Sequence, residues 1–211
     1  MPNARGSVAT MTIGLWLLGA LLGVRHAFEP DHLAAIAAMV TGRGRSRTAV
    51  RLGVTWGLGH SAALLVVASL LAAGRARVYQ TIGGAFELAV GAMLIWLGAW
   101  RFLGALRSAR TAATKPPARG TPFYVGVLHG LAGSGALTAL AASQVSSVPG
   151  RLAYVTVFGL GSIVGMGALA GLGGRFLSRL ASRPSVFAVL GAATGALTFV
   201  LGVTWLWRHS P

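Results

Sequence analysis

Apolar residues fill this chain in long runs, and short basic stretches separate them. A helix needs ~20 apolar residues to cross the hydrocarbon of a bilayer. Six runs meet that requirement: 9–28 with a continuation to 41, then 52–73, 81–103, 122–142, 153–172 and 185–207. The apolar positions form continuous runs and not amphipathic stripes, so the bilayer is the expected solvent. The pattern predicts an all-α integral membrane protein of six transmembrane helices. The first run is too long for one untilted span, and Pro30 lies inside it. Proline disfavours helix at the residue before it and suits the first position of a new helix. The first span is therefore expected to be broken at Pro30.

Composition narrows the picture. Of 211 residues, 55% are hydrophobic and 10% charged, where a soluble domain carries ~25% charged residues. Three acids, Glu29, Asp31 and Glu87, cannot furnish an ordinary wet surface. A net charge of +15 would in a soluble protein suggest nucleic acid. No nucleic-acid module is recognisable, and aromatic residues do not interleave with the basic ones, so no nucleic-acid partner is expected. Residues 1–23 have a basic start and an apolar run without a clear small-residue cleavage site, and read as a retained first span. There is no cysteine, which excludes disulfides and thiolate metal sites.

The basic residues also orient the chain. Twelve fall on the first, third and fifth loops: Arg43, Arg45, Arg47, Arg51; Arg101, Arg107, Arg110, Lys115, Arg119; Arg175, Arg179, Arg183. Five fall on the other loops and the tails: Arg75, Arg77, Arg151, Arg5 and Arg208. Lys and Arg mark the cytoplasmic side. Both termini are expected outside, in a bacterial inner (cytoplasmic) membrane.

The two halves repeat. Gly23-Val24-Arg25-His26 aligns with Gly126-Val127-Leu128-His129 at an offset of 103. Gly57-Leu58-Gly59 aligns with Gly159-Leu160-Gly161 at 102, and Gly91 and Gly98 align with Gly195 and Gly202 at 104. An odd number of spans per copy forces the second copy to be inverted, which is a transporter architecture with its site near the midplane. The expected division is 1–110 as the first three-helix repeat, 111–121 as a basic cytoplasmic linker and 122–211 as the second repeat.

Ionisable groups inside a span are costly and are functional candidates by default. The densest group is His26-Ala27-Phe28-Glu29-Pro30-Asp31-His32. On an unbroken helix, at ~100° per residue, His26, Asp31 and His32 would point in three directions. A break at Pro30 lets them converge, with carbonyls of the first half-helix facing a cation and Asp31 offsetting the positive end of the second. Two imidazoles and a carboxylate suit a borderline divalent ion. Each residue alone also has a bland explanation: Asp31 could stabilise a helix start, and His26 could donate to a carbonyl. His60 in Gly57-Leu58-Gly59-His60-Ser61 is a third candidate ligand, among glycines that let a neighbouring helix approach. His129 takes the place of His26 in the second repeat. Glu87 could bind a cation, carry a proton or pair with a histidine.

These residues resemble the nickel/cobalt transporter superfamily, in its short six-span branch of nickel permeases and urease-accessory-type membrane proteins. The family pattern H-x-x-x-x-D-H appears as His26, Asp31 and His32, and its L-G-H-S ending as Leu58-Gly59-His60-Ser61. The short branch's H-G-L-A-G-S-G appears as His129 to Gly135, and its G-S-I-x-G-M as Gly161 to Met166. The resemblance implies that His26, Asp31, His32 and His60 recognise the metal. It leaves His129, Glu87, Glu29 and Ser134 as accessory groups, and leaves nickel against cobalt and uptake against export open.

The expected function is a gradient-driven permease for nickel or cobalt and not an enzyme. No cofactor beyond the transported ion is expected, and with no Gly-x-x-x-x-Gly-Lys nucleotide motif its energy comes from a gradient or an unseen partner. Metallochaperones or metalloenzyme maturation proteins are expected partners, and the glycine-rich helices leave room for a homo-oligomer. Three alternatives compete. An intramembrane hydrolase would use Ser134 as nucleophile, but glycine-serine in apolar helices is usually packing. An exporter of a small anion or amino acid would use Arg25, whose long side chain can instead reach the interface. A membrane chaperone would hand metal to a partner without transporting it.

Overall fold

A computed structural model of the chain describes residues 4–40, 46–108, 121–145, 147–180 and 184–210. Seven helices account for almost all of them: α1 (Ala4–His26), α2 (Pro30–Val40), α3 (Ser46–Ala72), α4 (Ala76–Ser108), α5 (Thr121–Gln144), α6 (Val148–Leu180) and α7 (Pro184–His209). No strand occurs among the described residues. The stretches Arg47–Ala72, Thr81–Arg107, Val148–Phe176 and Ala188–His209 are each long and apolar enough to cross a membrane. Ile13–His26 and Pro30–Val40 are shorter apolar pieces. The basic linker expected at 111–121 lies outside the described residues apart from Thr121, as do the side chains 133–144 of α5.

The first apolar run is interrupted where its proline stands. Three tight bonds close the end of α1, from the amides of Ala27, Phe28 and Glu29 to the carbonyls of Val24, Arg25 and His26. Helical pairing resumes with the Leu33 amide donating to Glu29 at 2.9 Å, which makes Pro30 the first residue of α2. Its missing N–H costs nothing there. The end of α3 is a different device. The Arg75 amide donates to Leu70 and the Gly74 amide to Leu71, with Gly74 at φ +75°. This αL cap needs glycine for its backbone and not for space.

Packing follows glycines. A methyl at Gly23 of α1 would strike the Phe158 carbonyl of α6, and one at Gly126 of α5 would strike the Trp56 carbonyl of α3. In the same way Gly161 meets Ala20, while Gly59 meets Phe123. Between α4 and α7, Gly91 faces Gly202 and Gly98 faces Gly195. Each contact has a counterpart in which the two halves of the chain exchange roles. Small residues let helices approach backbone to backbone where lipid removes the hydrophobic drive between them.

Two apolar clusters flank the break. One packs Leu15, Trp16 and Leu22 of α1 with Leu64, Ala68, Tyr154 and Phe158. The other packs Ile36, Met39 and Val40 of α2 with Ala49, Leu52, Met166 and Ala170. α1 packs along α6, and α2 packs against α7, α4 and α6. The junction of α1 and α2 falls between the clusters. Large apolar side chains such as Leu17, Val66, Trp96, Val164 and Trp207 face outward, as expected where lipid covers the surface.

One side chain departs from its expected place. Arg101 was expected at the edge of the third loop, but α4 continues to Ser108 and Arg101 is 2% exposed. Its guanidinium lies against Gly191 of α7, where a Cβ would collide with it.

Candidate metal centre

Four helices deliver five ionisable side chains to the junction. His26 ends α1, Asp31 and His32 open α2, His60 lies in the middle of α3, and His129 lies in α5. His32, His60 and His129 are 2%, 1% and 3% exposed. The interruption before Pro30 turns the first turn of α2 so that His32 faces His26 at the end of α1, while Asp31 faces His129. An unbroken helix could not do this, because the three residues would diverge around its axis.

His26, His32 and His60 are mutual ring neighbours, with His32 also 5.3 Å from His60, and His129 adjoins His32. Centroids are 5.0 Å apart for His60 and His26, 4.5 Å for His26 and His32, and 5.0 Å for His32 and His129. His26 Nε2 lies 3.1 Å from His60 Nε2. Asp31 Oδ2 lies 3.1 Å from His32 Nδ1 and 3.5 Å from His129 Nε2. One ligand atom each from His26, His32 and His60 fall within 4.8 Å of one another, and the same is true of Asp31, His32 and His129. Both groups have the reach and chemistry of a transition-metal site.

Other contacts set which nitrogens are free to bind. The Val125 carbonyl lies 3.3 Å from His129 Nδ1 and takes its N–H, so the lone pair is on Nε2, facing Asp31. Glu29 Oε1, 2.9 Å from His26 Nδ1, does the same for His26 and leaves Nε2 facing His60. His60 Nδ1 and His32 Nε2 are buried without a hydrogen-bond partner among the described residues. Buried polar atoms left unpaired cost stability, and a bound cation would satisfy such lone pairs.

Aromatic rings line the cluster. Trp56, fully buried, stands 5.2 Å from the His32 ring and 5.4 Å from His129, and Phe158 stands 5.4 Å from His26. Neither was singled out in the sequence. A signal was present, since each lies four residues before a polar partner, His60 or Ser162, and so shares its helix face.

The remaining candidates separate. Glu29 touches the cluster through His26 and is itself 53% exposed. Glu87 stands apart, with Oε2 3.8 Å from Nε2 of His209 at the end of α7. Arg25 is exposed at the break. Ser134 lies in α5 beyond His129, and its side chain is outside the described residues.

Comparison with known proteins adds to this geometry. Residues 12–161 match the family described as high-affinity nickel-transport protein, a stretch that contains all five cluster residues. The chain belongs to that family. It is 27% identical to the urease accessory protein UreH of Bacillus sp. (strain TB-90), over 93% of this chain and 92% of that one. It is 37% identical to the cobalt transport protein NhlF of Rhodococcus rhodochrous, over 38% of this chain and 22% of that protein. The chloroplast protein FOR GROWTH AND FERTILITY 1 of Arabidopsis thaliana is 28% identical over 79% of this chain and 52% of its own length. No solved structure matches.

Proposed function

We propose that this chain is a membrane permease for a divalent transition-metal ion, nickel or cobalt, with His26, Asp31, His32 and His60 as its principal ligands. The observation that carries the reading is the convergence of imidazoles and a carboxylate at the broken first span, between two apolar clusters. A buried pocket of imidazoles with one carboxylate can replace the water shell of a borderline ion and is poorly suited to a hard one. His129 and Glu29 act as supporting groups. The ion is the cargo, and the driving force is a gradient.

Six membrane crossings in two inverted three-helix repeats, 1–110 and 122–211, fit the packing. The role-exchanging contacts Gly23–Phe158 and Gly126–Trp56 support a two-fold relation, as do Gly91–Gly202 and Gly98–Gly195. In such an architecture one repeat rocks against the other around a central site. The charge bias supports an inner-membrane location with both termini outside.

A second reading draws on the near full-length likeness to a urease accessory protein. On that reading the chain delivers metal to a maturation partner. One experiment separates the two. Purified chain is reconstituted alone into liposomes, and nickel and cobalt uptake is measured for wild type and His32→Ala. Uptake by wild type that His32→Ala abolishes carries the permease reading. Binding in detergent without uptake moves the function to delivery, and absence of binding sinks the metal site.

A further inference from the structure

The five cluster residues do not meet as one set. Among the described residues, His26, His32 and His60 form one group of converging ligand atoms, and Asp31, His32 and His129 form another. His32 belongs to both. We infer that the pocket holds two ion positions, His26–His32–His60 and Asp31–His32–His129, and that the transported ion passes between them with His32 as the ligand it keeps. This inference rests on the permease reading and deepens it.

Three observations carry it. The first is geometric. The His32 ring lies between the other two ends, 4.5 Å from the His26 centroid and 5.0 Å from that of His129. The second is chemical. His129 Nε2 and Asp31 Oδ2 are 3.5 Å apart, and Val125 already takes the other nitrogen of His129. That leaves a lone pair facing a carboxylate in a buried place, an arrangement that a cation between them stabilises. The third is organisational. The first position is built wholly from α1, α2 and α3, whereas the second draws His129 from α5 in the other half. His129 is also the counterpart of His26 in the repeat, so the ends of the relay are equivalent positions of the two halves.

Two positions have a purpose in transport. A site that encloses an ion with five ligands releases it slowly, while conduction needs binding weak enough, or shared over enough sites, for the ion to leave. The first position offers three neutral imidazoles. The second offers two imidazoles and a carboxylate that cancels part of the ion's charge. With His32 common to both, the ion is never stripped of protein ligands as it moves.

The test uses the full chain in detergent with Co2+ as probe, whose visible absorption reports its ligand set, together with Co2+ uptake into proteoliposomes. His129→Gln is expected to hold Co2+ within about threefold of wild type while uptake falls more than about tenfold. His60→Gln is expected to weaken binding about tenfold or more and to leave a residual Co2+ spectrum different from that of His129→Gln. His32→Ala should remove both signals. Equal losses of affinity with identical spectra in the two glutamine variants would mean one five-ligand site and overturn the proposal. Undiminished uptake by His129→Gln would overturn it as well. If His129→Gln does not fold, Asp31→Asn tests the same position from α2 under the same criteria. Failure of wild type to bind Co2+ is read before any variant and removes the permease reading itself.

Discussion

Glu29 holds His26 from across the helix break: Oε1 lies 2.9 Å from Nδ1, on the side of the ring away from the Nε2 that faces His60. A carboxylate that takes the distal N–H of a ligand histidine fixes its tautomer and raises its basicity. Glu29 is thus a positioning residue on the exposed side of the pocket. Glu29→Ala is expected to weaken Ni2+ binding roughly tenfold. Glu29→Gln keeps an acceptor oxygen and should stay within about threefold of wild type, a rescue that a purely electrostatic role of Glu29 would not give. Titration calorimetry on both variants decides between them.

Metal binding should depend on pH with a definite sign. An imidazole binds metal through a neutral nitrogen, so protons compete with the ion. Affinity should therefore fall as pH is lowered and recover as it is raised. Affinity that rises on acidification would exclude a pocket dominated by histidine.

The close contacts make opposite forecasts for two glycines. A methyl at Gly126 would meet the Trp56 carbonyl, and that backbone atom cannot move without shifting α3. Gly126→Ala should destabilise by about 1–3 kcal/mol, read as a lowered unfolding temperature in detergent. At Gly84 of α4 a methyl meets nothing within 4 Å. Gly84→Ala should be neutral or stabilising by up to ~1 kcal/mol, because alanine favours the helix.

Glu87 and His209 provide the control. Their pair at the end of α7 is 3.8 Å long and partly exposed, and neither residue touches the cluster. Glu87→Gln should cost no more than ~1 kcal/mol of stability. It should leave Co2+ affinity and spectrum unaltered, and a changed spectrum would place Glu87 on the ion's path.

Orientation can be read by labelling, because the chain has no cysteine of its own. A cysteine at the exposed position Ser210 should react with a membrane-impermeant thiol reagent on intact cells. One at Thr48 should react after permeabilisation alone. The reverse pattern would turn the chain over in the membrane.

What the sequence determined by itself follows from rules that act over a few residues. Lengths of apolar runs predicted helices, and the helices are there. Pro30 predicted an interruption, because a missing N–H and a restricted preceding residue act within one turn; α2 begins at that residue. The glycines beside His60 predicted a close neighbour, and Gly57 meets Ile163 of α6 while Gly59 meets the Phe123 carbonyl of α5. His26, Asp31 and His32 were candidates because charge inside an apolar run is costly wherever it occurs.

Tertiary structure decided the rest. His60 is 34 residues from His26 in the chain, and their 3.1 Å separation depends on how α1 and α3 are set by their neighbours. The grouping of the ligands into two triads, the apposition of Trp56 to His32 and His129, and the pairing of Glu87 with His209 are of the same kind. So is the burial of Arg101, which local charge counting put at a loop edge. Sequence patterns fix what a segment is. Which side chains meet is fixed by the depth and rotation at which whole helices pack, and small residues scattered along the chain set that jointly.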